Sequence, residues 1–75
     1  MKKDYQIILR VDDREVEAGI VKGTRLEVEQ DNTRDNLKFI YIYNDDVKVY
    51  SKIALKGLEV VENKKLDVIE VYINR

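Results

Sequence analysis

The side chains in this sequence that could carry chemistry are carboxylates, hydroxyls and a tyrosine-rich cluster, since the 75 residues hold no His and no Cys. Without those two types the commonest general base, the thiolate nucleophile and any ordinary zinc site are excluded. The carboxylate pairs are Asp12-Asp13, Asp31 with Asp35, and Asp45-Asp46. Two carboxylates astride a bond can hydrolyse a glycoside, and a cluster of them can hold a hard cation. All three pairs, however, fall between apolar runs, where Asp favours turns by bonding its own backbone. Asp31-Asn32-Thr33-Arg34-Asp35-Asn36 is acidic like a calcium loop but lacks the glycine and the bidentate glutamate at the required spacing. The only serine, Ser51, has no histidine to take its proton, so its expected role is to cap a helical turn. Thr24 and Thr33 meet the same objection. Gly19-Ile20-Val21-Lys22-Gly23-Thr24 contains the letters of a phosphate loop in the wrong order, and no long helix follows it. A bulge at Gly19 and a turn at Gly23 account for it. The residue types therefore predict no catalytic set, no metal site and no cofactor.

One constellation remains, in the segment 38–56. Phe39, Tyr41 and Tyr43 precede Asn44-Asp45-Asp46, and Lys48, Tyr50 and Lys52 follow it. A two-residue hairpin turn would place Ile40, Ile42, Val47 and Val49 on one face and all six of those residues on the other. A three-residue turn shifts the register by one and puts Phe39, Tyr41 and Tyr43 beside Val47 and Val49, in the core. In the first arrangement an aromatic face interleaved with lysines can anchor a protein partner or stack bases. Tyr41, Tyr43, Lys48, Tyr50 and Lys52 are accordingly the candidate binding residues.

The elements that must position them are strands. Ten Val and eight Ile against two Ala is a β-biased inventory. Alternation predicts strands over 5–11 (Tyr5, Ile7, Leu9, Val11), around Val16, Ala18 and Ile20, and around Leu26 and Val28. The polar stretch 30–36 is a loop, and Leu37 to Tyr43 and Val47 to Tyr50 form the hairpin. Tyr50, Ile53, Ala54, Leu58 and Val61 fit a helical stripe. Gly57 and the β-favouring Val60-Val61 argue instead for a single helical turn over Ser51 to Lys56 and a strand from Leu58 to Glu62. The last strand carries apolar residues on both faces (Ile69, Val71 and Ile73 against Val68 and Tyr72), so it should be central or covered. The expected fold is a single all-β domain, 1–75, mainly antiparallel. It would be a six- or seven-stranded small barrel or sandwich-like meander with one short helical turn near 51–56.

Fourteen Lys plus Arg balance fifteen Asp plus Glu, and the charges are mixed along the chain. A net charge of −1 argues against a generic polyanion binder. The balance nevertheless hides a basic aromatic stretch containing Lys38, Lys48, Lys52 and Lys56. Asp4, Gln6 and Arg10 interrupt any apolar run that could follow Lys2-Lys3, so no secretory segment is expected. The longest apolar run, Phe39 to Tyr43, is far below the roughly 20 residues of a membrane span. A cytoplasmic, non-catalytic interaction module follows, one that engages a protein partner or itself through a sheet face or strand edge, with a homo-oligomer expected for so small a core. Two alternatives stand beside it: a small-barrel binder of single-stranded nucleic acid, and a receptor for a small charged metabolite or nucleotide. The abundance of Lys, Asn, Ile, Tyr and Asp with little Ala or Gly fits an AT-rich bacterial or phage accessory gene. No segment carries a motif specific enough to name a family.

Overall fold

A computed structural model describes residues 2–75, and they form seven strands and no helix. These are β1 (Lys3–Val11), β2 (Arg14–Gly23), β3 (Arg25–Gln30), β4 (Lys38–Asn44), β5 (Val47–Ala54), β6 (Leu58–Asn63) and β7 (Val68–Asn74). β2-β1-β7-β6 form one sheet and β3-β4-β5 a second. Every neighbouring pair is antiparallel except β1 and β7, which run parallel. The two sheets do not close into a barrel, so of the two expected shapes the sandwich-like meander is the one formed. β7 lies between β1 and β6, as its two apolar faces require.

The sheets face each other through Tyr5 and Ile7 of β1, Ile40 and Ile42 of β4, Ala54 of β5, and Val71 and Ile73 of β7. Leu9, Val21, Leu26, Tyr50, Leu58 and Ile69 surround them. The core follows directly from period two: Tyr5, Ile7 and Leu9 of β1, Ile40 and Ile42 of β4, and Ile69, Val71 and Ile73 of β7 are alternate residues that point the same way. Each buried Ile side chain contributes roughly 1.5–3 kcal/mol relative to exposure. No helix among the described residues is long and apolar enough to cross a membrane.

The chain passes between sheets at a corner where Gly23 lies against β4. A Cβ there would sit 2.6 Å from Ile42 Cγ2 and 2.8 Å from the Tyr43 carbonyl oxygen. Asp12 and Asp13 both adopt positive φ (49° and 65°), the requirement of a tight two-residue hairpin turn, and Asp45 does the same at 57°. In the loop after β3, Asp31 Oδ1 accepts hydrogen bonds from the Thr33 hydroxyl at 2.6 Å and its amide at 2.7 Å. These bonds hold the Asp31 carboxyl below its ordinary value. All three carboxylate pairs thus occupy turns or a loop, as their positions predicted.

Two bulges interrupt the ladders. Ile7 pairs with Gly19 and Ile8 with Glu17, which leaves Ala18 as the extra residue beside a glycine at φ 122°. In the other sheet Tyr43 pairs with Lys48 and Ile42 with Tyr50, which leaves Val49 unpaired.

The expected helical turn at 51–56 is absent. Ser51 to Ala54 continue β5, with Ser51 opposite Tyr41 and Ile53 opposite Phe39, and only Leu55-Lys56 turn before Gly57 at φ 104°. The ladder to β4 satisfies the backbone that a helical turn would leave half-paired, and it buries Ala54 completely. Ser51 therefore caps nothing.

Candidate functional site

The hairpin turn is Asp45-Asp46, two residues long, so β4 presents Ile40 and Ile42 inward and Phe39, Tyr41 and Tyr43 outward. The registers with β3 and β5 complete a grid on the outward face. Arg25, Tyr43 and Lys48 form one row, Glu27, Tyr41 and Ser51 the next, and Glu29, Phe39 and Ile53 the third. An aromatic column thus runs up the centre, with a charged column on the β3 side. The three rings are each partly exposed.

Cations already lie on two of the rings. The Arg25 guanidinium carbon is 4.2 Å from the Tyr43 ring centroid, and Lys48 Nζ is 4.5 Å from that of Tyr41. Arg25 is fixed in place by a 2.9 Å pair from its Nε to Glu27 Oε2 and by a 2.8 Å hydrogen bond from Nη1 to the Asp45 carbonyl. The Glu27 bond raises the guanidinium pKa further above its already high value, so this charge is permanent. The turn is tied to the same corner through Thr24, whose Oγ1 accepts from the Asp45 amide at 2.8 Å and donates to the Tyr43 carbonyl at 3.2 Å. The aromatic column therefore stands on a braced hairpin.

Of the five residues singled out from the sequence, Tyr41, Tyr43 and Lys48 share this face. Tyr50 and Lys52 do not. The Val49 bulge reverses the alternation, so Tyr50 pairs with Ile42 and Lys52 with Ile40 on the inward side of the sheet. Tyr50 packs against the core, and burial pushes its hydroxyl pKa up despite the opposing charge of Arg75. Lys38 also takes the inward side, opposite Ala54. Lys52 nevertheless lines a groove of about 440 Å³ together with Phe39, Tyr41, Ser51, Ile53 and Arg75. Neither Lys52 nor Arg75 makes a carboxylate pair among the described residues.

Two clusters were not anticipated from the sequence. On the outer face of the four-stranded sheet, Arg10 pairs with Glu15 at 3.0 Å and Glu59 at 2.9 Å, and its guanidinium lies 4.1 Å from the Tyr72 ring centroid. One side chain thereby links β2, β1, β7 and β6. At the β1–β2 turn an open cleft of about 450 Å³ is bordered by Arg14, Lys56 and Arg75 on one hand and Asp12 and Asp13 on the other. Both depend on strands that meet only in three dimensions. The only early signal was that Arg10 falls on the outward phase of β1. No group of acidic side chains among the described residues is placed to hold a metal ion. In comparisons with known proteins the chain matches no family, no curated protein and no solved structure.

Proposed function

We propose that this chain is a non-catalytic binding module that engages a protein partner, or another copy of itself, through the outward face of β3-β4-β5 and its strand edges. The observation that carries the proposal is the column Phe39, Tyr41 and Tyr43, outward and held on a braced hairpin. Aromatic rings on a rigid element offer large apolar contact with little side-chain entropy left to lose, which is the character of interface anchors. The flanking Arg25, Glu27 and Glu29 supply a polar rim of both signs, which suits a protein surface better than a polyanion. A cytoplasmic setting and a bacterial or phage accessory role complete the proposal.

A second function, binding of single-stranded nucleic acid or a nucleotide, is favoured by the groove beside the column. Phe39 and Tyr41 there offer ring faces, and among the described residues Lys52 and Arg75 have no carboxylate partner. The test is photo-crosslinking in cells from positions 39, 41 and 43, with position 61 on β6 as the control. Partners trapped from the aromatic column alone, and lost in a Phe39→Ser/Tyr41→Ser variant that keeps its circular dichroism spectrum, support the protein-binding proposal. A gel shift of labelled oligonucleotides at low salt, abolished by Lys52→Glu, would move the assignment to nucleic acid. Crosslinks from position 61 only would overturn both.

A further inference from the structure

Each sheet ends in two outer strands, and the four differ in how well they are guarded against pairing with another chain. β2 and β5 carry the bulges at Ala18 and Val49, and a bulge twists an edge and breaks its register. β6 is unbulged but holds Glu59 and Glu62 with no cation, so no self-pairing register sets opposite charges against each other. β3 is unbulged, five of its six residues are exposed, and it carries both signs: Arg25, Glu27 and Glu29 on its outer face. On its inner face Val28 lies opposite the fully buried Ile40 yet remains 47% exposed. One edge of the molecule is thus regular, apolar beneath and electrically self-complementary.

We infer that β3 pairs antiparallel with β3 of a second copy of this chain, with Arg25 of each opposite Glu29 of the other. In that register Leu26 faces Val28 of the second copy, which covers the exposed valine, and both Arg–Glu pairs form. Glu27 meets its own counterpart. Its charge is offset because each Glu27 is held by Arg25 of its own chain at 2.9 Å. The two three-stranded sheets become one six-stranded sheet whose aromatic columns lie on the same side, three strand spacings or roughly 14 Å apart. An edge-only contact buries little surface, so the association is weak and concentration-dependent. The inference rests on the proposed association role and narrows it to one edge, one register and one occupant.

The absence of native cysteine makes the register directly readable. Glu27→Cys places a thiol opposite its own copy and should form a disulfide-linked dimer under mild oxidation, whereas Val61→Cys on β6 should not. In sedimentation of the full chain over a concentration series, the parent should show a monomer–dimer equilibrium. Glu29→Arg should raise its dissociation constant by about tenfold or more, and the charge swap Arg25→Glu/Glu29→Arg should recover part of that loss, the remainder reflecting the Arg25–Glu27 pair that the swap removes. A strict monomer, a dimer indifferent to Glu29→Arg, or crosslinking through Val61→Cys in preference to Glu27→Cys would overturn the pairing. A monomer whose crosslinked partners still map to Phe39, Tyr41 and Tyr43 would overturn it and leave the aromatic face standing. A dimer that traps no partner would support the pairing and count against the face.

Discussion

Replacing Gly23 by Ala should destabilise the protein far more than the loss of one hydrogen atom suggests. The added Cβ would lie 2.6 Å from Ile42 Cγ2, which belongs to a fully buried side chain, and 2.8 Å from the Tyr43 carbonyl oxygen. Neither neighbour is the loose end of a flexible side chain. Relief to an ordinary contact requires a shift of the corner away from β4 by roughly 0.6–0.8 Å or more. The same Tyr43 carbonyl accepts from the Thr24 amide at 2.7 Å and from the Thr24 hydroxyl at 3.2 Å, so moving it weakens both bonds. Overpacking costs about 1–3 kcal/mol and a weakened hydrogen bond about 1 kcal/mol. Against this, Ala restricts the unfolded chain by about 0.4–1 kcal/mol relative to Gly. The net is about 1–4 kcal/mol, or a fall in Tm of about 5–25 °C for a domain this size. Urea denaturation followed by circular dichroism measures it. Gly57→Ala is the comparison, because there the nearest atom is 3.9 Å away and only the positive φ of 104° resists the substitution. A Gly23→Ala variant within about 0.5 kcal/mol of the parent, or one less affected than Gly57→Ala, would refute the close approach between corner and β4.

Burial raises the hydroxyl pKa of Tyr5 and Tyr50 above 10.0, so above that pH the folded chain holds protons that the unfolded chain has released. That stability is complete below pH 10 and is lost as pH rises through the folded values. Tyr50→Phe should flatten the alkaline limb of a Tm-against-pH profile and remove a late step from the tyrosinate absorbance titration. Asp31 is displaced in the other direction, below 3.8, by its bonds from Thr33. Its contribution is present above that pH and lost as pH falls, so Asp31→Ala should reduce the acid dependence of Tm. Tyr41→Ser should cost only about 1 kcal/mol, because the ring lies outside the core cluster and loses only strand propensity and surface contacts, whereas Ile42→Ala at 0% exposure should cost about 2–5 kcal/mol in the same melts.

The strands were legible because period-two alternation is local: Tyr5, Ile7 and Leu9, or Ile69, Val71 and Ile73, declare one face without reference to any partner. The turns were legible for the same reason, since Asp-Asp between two apolar runs has few other uses. Ser51 to Lys56 misled because Ser51, Ile53 and Ala54 also satisfy a helix locally, and the ladder to β4 that decides the matter lies outside that window. Tyr50 and Lys52 were set on the wrong side by a single residue. A bulge at Val49 leaves no mark in the alternation of apolar types, because Val49, Tyr50 and Ile53 fit either phase. Arg25 beside Tyr43 was out of reach as well, since the register of β3 on β4 is set by the length of the 31–37 loop. Closure into a barrel could not be told from two sheets, because it depends on whether an edge strand of one sheet pairs with an edge strand of the other, which no local pattern records.

The parallel pairing of β1 with β7 sets the order in which this chain can assemble. Asp4 must find Val68, and Ile7 must find Val71, across nearly the whole sequence. β3, β4 and β5 need only short loops to pair, so the three-stranded sheet and its aromatic column can form while the other sheet is still two separated pieces. A ribosome-bound chain would then display the aromatic face before β7 is synthesised, with Ile40 and Ile42 still uncovered on the reverse side. Folding should be limited by the late β1–β7 closure, so Val28→Ala, in a ladder already made by then, should slow stopped-flow refolding in full proportion to its destabilisation, and Val71→Ala should slow it in part. A Val28→Ala variant that unfolds faster but refolds at the parent rate would refute the early formation of the three-stranded sheet.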